Sequence, residues 1–570
     1  AGPAGLGSTD AKSDLKLWLN AGGISQGIGS AISTWGDLSG NGFNATQGSG
    51  SQQPTLQTQS VMNGQNVARF ATDDILATGT FLSQFEPYTI FSASRMNGGL
   101  NQRLISSSVR NWLLGYHGGR ENVMYAEGWI SGGCAGPGGT GASTNGFLYT
   151  GTGNGRWSRL FQNSTLTYQN NCGVQSPGGL TLGGTPFWSE YSNGDVGEII
   201  AFNKDVNNAR RNIVENYLSA KYNIATTVDL YLGDNTANGD CDFNMSGIGR
   251  DTEGWHLKSR SNGLYINDAG FLQNSGDYLL YGHNNSTNGW ETSDLATCTS
   301  NPTRRLNRIW YFSKTDAGSN GGNVTLSFNA SDFGLASFEA GTYRLMYRAG
   351  NSGNFASIAT GTNNSSSIDF TVNSSSLGNG QYTLSFEGTT PAAINFTASN
   401  TYLRHSTNGI SPTSGTVMGW VNPSQTADWG FWQTHDSGSE NWLDWISMFS
   451  WVDGTFYFRM GDGSTCCTND LTFSTASYIP NNQWTHLAFT WGGGLMTVYV
   501  NGVQIAQRSA TFQGTMDPFA RIGIGRLNNL GATRAAGGLI QADRLLRLCA
   551  REKIGQNPSV LQPHGSALRQ

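Results

Sequence analysis

The sequence predicts an all-β protein of stacked antiparallel sheets, with one helix closing its first part. Three features carry that expectation. Charged residues make up only 12% of the 570-residue chain and glycine reaches 78 residues, about half and about twice ordinary usage. Aromatics stand at 11%, too many for a disordered chain. Apolar runs are short, alternate with polar residues and stop at Gly, Asn, Asp or Pro, as strands between turns do. The 14 prolines and the lack of a Gly-every-third period exclude a collagen. A helical bundle would be rich in Ala, Glu, Lys, Leu and Arg, and this chain is not.

In chain order, strand-like runs fall at Leu15–Leu19, Tyr88–Ser92, Tyr278–Tyr281, Val324–Phe328, Tyr343–Tyr347, Thr416–Val421, Thr485–Trp491 and Thr497–Val503. The helix is expected over 203–222. There Val206, Ala209, Ile213, Val214, Tyr217, Leu218 and Tyr222 recur at three-to-four spacing, and an Asn or Asp ahead of the run offers a cap. Breaks after the helix and near Thr389-Thr390-Pro391-Ala392 divide the chain into 1–225, 226–390 and 391–570. The stretch after Ile540 is basic and nearly free of glycine, which marks it as either a docking helix or a frameshifted end.

Net charge is −5 and the first 500 residues hold no Lys/Arg cluster, so a nucleic-acid partner is set aside. No apolar run reaches the roughly 18 residues of a membrane-spanning helix. The opening Ala-Gly-Pro-Ala is what a chain shows once a secretion signal has been removed. Of seven cysteines, Cys134, Cys172, Cys241 and Cys298 lie in Gly- and Asn-rich loops. Loop context favours disulfides, Cys134 with Cys172 and Cys241 with Cys298, over seven reduced structural thiols. Cys466 and Cys467 have two options, a vicinal bridge or a bond from one of them to Cys549. Sequons at Asn44, Asn163, Asn244, Asn323, Asn329, Asn373 and Asn395 allow glycan attachment in a host with the machinery.

The first segment carries Leu15-Lys16-Leu17-Trp18-Leu19, Trp35-Gly36-Asp37-Leu38-Ser39-Gly40-Asn41-Gly42, Val67-Ala68-Arg69-Phe70 and Gly194-Asp195-Val196-Gly197-Glu198-Ile199-Ile200. In that succession it resembles the concanavalin A-like, laminin-G-type lectin sandwiches of bacterial surface proteins. The third segment resembles the same class through Asn482-Gln483-Trp484-Thr485-His486-Leu487, Met496-Thr497-Val498-Tyr499-Val500-Asn501-Gly502 and Arg521-Ile522-Gly523-Ile524-Gly525. The middle segment, with Gly247-Ile248-Gly249-Arg250-Asp251 and Gly276-Asp277-Tyr278, is similar to an uncharacterised β-domain of secreted bacterial proteins. The resemblance implies two jelly-roll sandwiches flanking a further β-sandwich, and an extracellular address.

Hydrolases on such sandwiches set two carboxylates on one strand face, which calls for alternate acidic residues. The chain has no Glu-x-Asp-x-Glu. Asp195 and Glu198 are three apart and are expected on opposite faces, flanking the end of a sheet. Calcium is the one cofactor suggested, at oxygen-rich rim loops. Asp37, Asn41, Asp73 and Asp74 are its best ligands, and an ion-free Asx turn is the competing reading of Asp37–Asn41. Asp234, Asp240 and Asp251 are weaker donors. Sugar binding needs aromatic platforms beside amides and carboxylates. The densest such set is Trp429, Trp432, His435, Asn441, Trp442, Asp444 and Trp445, which reads as a carbohydrate site, a subunit interface or part of the core.

Low charge also removes the gatekeepers that keep sheet edges apart. The leading expectation is therefore a non-catalytic extracellular structural or adhesive surface protein that self-associates as a filament or coat. A carbohydrate-binding adhesin is the alternative, and a polysaccharide-degrading enzyme the third reading.

Overall fold

A computed structural model describes residues 1–107, 109–185, 187–261, 263–295, 303–388, 394–396, 403–406, 411, 413–424, 429–435, 446–461, 469–512, 521–524, 526–529, 532–535 and 538–541. The chain divides into two units, one formed by Ala1–Ala296 with Thr303–Glu387 and a second that includes Gly388–Gln570.

The first unit begins as a sandwich of two antiparallel sheets. One runs Thr165–Asn170, Ser158–Gln162, Phe147–Gly153, Tyr88–Asn101, Glu190–Phe202, Gln65–Phe70, Thr55–Gln59, and Leu15–Asn20 also pairs on Glu190–Phe202. The other runs Thr140–Gly141, Arg120–Ala126, Trp112–His117, Ile105–Ser107, Leu180–Leu182, Leu76–Ala77, Ala45–Thr46, Thr34–Trp35. Period-two alternation sends Leu17 and Leu19 inward, where they meet Trp35, Ile90, Trp112, Leu114 and Ile199. Each such side chain contributes about 1.5–3 kcal/mol on burial.

The helix spans Asn208–Tyr222. It starts five residues later than the periodicity suggests, because Asn207 caps it, its Oδ1 accepting the Arg210 N–H at 2.9 Å. Asn223 ends it in the left-handed conformation. One side of the helix packs on Phe91, Ile200 and Phe202, and the other meets Met245, Tyr278, Leu280 and Tyr311. Asn212 Nδ2 donates to Tyr278 Oη at 2.9 Å across that second contact. Residue 225 thus lies inside the first unit, just past a helix with a core on both sides.

The middle strands form one antiparallel path: Gly254–His256, Phe243–Asp251, Tyr278–His283, Trp310–Thr315, Gly380–Gly388, Gly341–Arg348, Ala356–Asn363, Ser367–Asn373, Asn323–Asn329, Leu264–Ala269, Lys258–Ser261. It encloses Ile248, Ile266 with its cross-strand partner Leu326, Trp310, Phe312, Phe328 and Leu384.

The second unit has two sheets. The first runs Ile394–Phe396, Gly538–Gln541, Gly415–Pro423, Thr485–Gly492, Leu495–Val500, Val503–Ser509. The second runs Leu403–Ser406, Arg521–Ile524, Trp429–His435, Ile446–Ser450, Thr455–Met460, Asn469–Ser474. The expected strand Thr497–Val503 is instead a hairpin, since Asn501 and Gly502 take φ of 50° and 79° and turn the chain between two strands. The basic stretch from residue 542 onward lies outside the described residues. Among the described residues no helix is long and apolar enough to cross a membrane.

Candidate functional site

Asp195 and Glu198 share one face of their strand, contrary to the expectation of opposite faces. A β-bulge between Val196 and Glu198 inserts one residue and resets the alternation. Gly197 sits at the bulge, where an added Cβ would stand 2.5 Å from the Tyr222 ring. The pair is not at the sheet end either; both residues are fully buried. Arg69 holds Asp195 through Nε and Nη2 at 2.7 and 3.0 Å, joined by Gln59 Nε2 at 2.7 Å and Arg95 Nη1 at 3.3 Å. Glu198 accepts from Lys221 Nζ at 2.6 Å, Trp18 Nε1 at 2.7 Å, Tyr217 Oη at 2.9 Å and Tyr222 Oη at 3.2 Å. Burial, with the Glu198 charge adding to it, pushes both tyrosine hydroxyls well above the ordinary phenol range, so they stay protonated donors. Neither carboxylate is left an oxygen to offer a substrate.

Asp37 is committed in the same way. Its Oδ1 accepts the N–H of Trp18 and Ser39 at 3.0 and 2.9 Å, and its Oδ2 accepts Ser39 Oγ and Phe43 N–H at 2.8 and 3.0 Å. Asn41 Nδ2 donates to Leu15 O at 3.0 Å. The Asp37–Asn41 turn is therefore closed by its own hydrogen bonds. Asp73 accepts from Gln52 Nε2 at 3.1 Å and Asp74 from the Ala71 N–H at 2.9 Å. Burial and the neighbouring Asp73 raise the Asp74 carboxyl above its ordinary value. Among the described residues no three His, Cys, Asp or Glu side chains converge as metal ligands.

Of the three readings of their cluster, Trp429 and Trp432 follow the core one: each is 1% exposed and packed with Phe431, Met448 and Phe456. A register shift between Gly430 and Trp432 lets the strand bury residues that strict alternation would turn outward. His435 ends that strand, and Asn441, Trp442, Asp444 and Trp445 lie outside the described residues. Cys134 and Cys172 form a disulfide with Cα atoms 5.6 Å apart. Cys241, expected to pair with Cys298, is instead a free buried thiol. The Tyr231 hydroxyl donates to its carbonyl, and burial pushes the thiol up to about 12. Cys298, Cys466, Cys467 and Cys549 lie outside the described residues.

The arrangement best suited to a ligand is on the first sandwich, and none of its residues was singled out from the sequence. The outward side of Trp112–His117 and Arg120–Ala126 carries a line of rings. Tyr125 meets Trp129 edge-on at 4.9 Å between centroids, and Trp129 meets the His117 ring at 5.5 Å. His117 Nδ1 lies 3.9 Å from Glu190 Oε2, which accepts from Arg103 Nε. Arg103 also donates to Asn111 Oδ1 at 2.8 Å, and its guanidinium covers one face of Trp188 at 4.7 Å. Phe187 adjoins Trp188 at 6.0 Å. Phe187 and Trp188 are 66% and 48% exposed, whereas Arg103 is buried.

Local structure explains each placement. The Thr185–Glu190 pair closes a short hairpin whose tip presents Phe187 and Trp188. Trp129 sits in the loop leaving Arg120–Ala126, and the Cys134–Cys172 bond ties that loop down. Gly128 runs so close to this tie that an added Cβ would stand 1.9 Å from Cys172 O. Burial lowers the His117 pKa below the ordinary imidazole value, Glu190 opposing and Arg103 adding to it, so the ring is neutral at neutral pH. Its Nδ1 makes no hydrogen bond among the described residues. The one sequence signal available was the adjacent Phe-Trp pair inside a turn-rich stretch, Gly-Gly-Thr-Pro-Phe-Trp-Ser.

Residues 396–546 match the family model of the concanavalin A-like lectin/glucanases superfamily. Among solved structures, domain 4 of an extracellular arabinanase from Geobacillus stearothermophilus, in complex with arabinotriose, is 22% identical. That match covers 28% of this chain and 68% of that one, at a TM-score of 0.20. The LG4-5 domains of the mouse laminin alpha1 chain match at 9% identity over 83% of this chain and 86% of theirs, at 0.20. The binding domain of Paraclostridial Mosquitocidal Protein 1 matches at 11% over 63% and 91%, at 0.26. Scores of this size carry no functional argument. No curated protein matches the chain in sequence. The family match falls on the segment whose two facing sheets enclose Trp429, Phe456, Phe489 and Val498. Over residues 396–546 the chain is thus similar to the concanavalin A-like lectin/glucanases superfamily.

Proposed function

We propose that the protein is an extracellular, non-catalytic adhesive protein that binds glycans through the first sandwich. The observation that carries this reading is the exposed Phe187–Trp188 pair beside a neutral imidazole, a carboxylate and an arginine. Aromatic faces stack on the C–H faces of sugar rings, and groups such as Glu190 and His117 exchange hydrogen bonds with hydroxyls. The lectin-type family of residues 396–546 supports the same class of ligand. An oxidising compartment is supported by the Cys134–Cys172 bond. The non-catalytic part rests on Asp195 and Glu198, whose oxygens are saturated and sealed from solvent.

A glycan array, read with and without a chelator, tests the reading. Binding that Trp188→Ala weakens supports it; an array with no bound sugar overturns it. Chelator sensitivity would bring in calcium, for which Asp73 and Asp74 remain the oxygen donors with capacity, since Asp37 is saturated. Self-association into a filament or coat stays part of the proposal on composition alone, and a sedimentation measurement showing only monomer removes it.

A further inference from the structure

The arrangement of the rings says which part of a glycan the face would take, an inference that rests on the glycan-binding reading. Tyr125 stands opposite Leu113 in the sheet, while His117 lies four residues further along the same neighbouring strand. Four strand residues span about 13 Å. Trp129 bridges that interval, its ring 4.9 Å from Tyr125 and 5.5 Å from His117. The rings are therefore strung out along the strand direction rather than gathered around a point.

Beyond His117 the line continues through Glu190 and Arg103 to Trp188 and Phe187. Two stacking platforms thus flank a polar centre. Trp188 has one face taken by the Arg103 guanidinium, so its exposed part is its other side. Trp129 is held by the disulfide-tied loop. Both platforms are fixed before any ligand arrives, which limits the ordering cost of a long contact. At the centre, Arg103 is already paired to Glu190 and buried, so it supplies no free cation for an acidic sugar, and the exposed Arg120, opposite His117 in the sheet, donates from Nη1 to the Gly138 carbonyl at 3.1 Å.

We infer that this face binds the interior of an unbranched, neutral polysaccharide chain. One sugar stacks near Trp129, another on Trp188, and the residues between offer hydroxyls to Glu190. Such a site gains with each sugar until both platforms are covered, and gains little from a single terminal residue.

Calorimetric titration of the whole protein with neutral linear glucans, mannans and xylans of one to six residues, and with the matching uronic-acid oligomers, tests this. Affinity should climb at least tenfold between the monosaccharide and the tetra- to hexasaccharide of the bound series, with the uronic oligomers no tighter. Trp188→Ala and Trp129→Ala should each lower hexasaccharide affinity by about tenfold, the scale of one lost stacking contact. Trp188→Phe should restore most of it. Unchanged thermal unfolding of Trp188→Ala would show that the fold is intact.

A monosaccharide bound as tightly as the hexasaccharide, preference for the uronic series, or indifference to both alanine variants would overturn the inference while leaving glycan binding standing. Absence of binding by any oligomer, with none on the array, would overturn both.

Discussion

Glutamine at position 198 would leave the shape of the helix anchor almost unchanged and remove its charge. Glu198 is fully buried and takes four donors, of which only Lys221 is a cation, with its side chain 16% exposed. The tyrosine and tryptophan donors can still bond to an amide oxygen. The ammonium, by contrast, would be left near an uncharged group that also presents two hydrogens of its own. Breaking a buried pair by removing one partner costs about 3–5 kcal/mol, mostly the uncompensated charge. At about 2 °C per kcal/mol for a unit of this size, Glu198→Gln should lower the unfolding midpoint of the first unit by about 6–10 °C. Scanning calorimetry resolves this, and a transition belonging to the second unit supplies an internal reference. Lys221→Met on the Glu198→Gln background removes the stranded charge and should restore about 2 kcal/mol. A loss below about 1 kcal/mol, or a double variant no better than the single one, would refute the account of Glu198 as a charge-paired anchor.

Three further outcomes are expected. Reducing the Cys134–Cys172 bond, or replacing both cysteines with serine, should release the Trp129 loop and lower glycan affinity; closing a loop of separation 38 is worth about 4 kcal/mol in the chain-entropy account, so calorimetry should show the stability loss alongside. Asp242 is raised to about 6 by burial and by Asp240, so between about 4 and 6 the folded protein holds a proton that the unfolded chain lacks. Stability from this group is gained as pH falls through that window. Asp242→Asn should accordingly be more stable than the parent by about 1–2 kcal/mol at pH 7.5, with the gap closing by about pH 4.5 in urea titrations. Gly197→Ala should cost about 1–3 kcal/mol by thermal unfolding, because its Cβ would press on the Tyr222 ring.

The parts of the fold that were legible in the sequence are those fixed by local patterns. The helix announced itself through Ile213, Val214, Tyr217 and Leu218 at helical spacing, whereas the Asn501-Gly502 turn was absorbed into one expected strand, Thr497–Val503. Asp195 and Glu198 escaped correct placement because one bulge residue, Gly197, inverts the side-chain alternation, and nothing in the spacing signals it. The tryptophans at 429 and 432 looked like platforms because they are dense, but density does not separate a core from a surface. Trp129 and Trp188 become a site only through partners distant in sequence. One depends on a disulfide 38 residues long in separation, and the other on an arginine 85 positions earlier. A pairwise guess from loop context served for Cys134 and Cys172 and failed for Cys241, whose polar flanks conceal a buried position bonded to the Tyr231 hydroxyl through its carbonyl.

The helix Asn208–Tyr222 gives the first unit a mechanical character. Its side chains belong to one apolar cluster with residues of the first sandwich and of the middle sheets, and Asn212 ties it to Tyr278. A tensile load applied between those two parts would meet a helix wedged in a shared interior, braced by the Glu198 anchor, before it could draw out the connecting chain. That makes the two parts a single stiff lever, and it predicts one rupture event where a beaded string would give two.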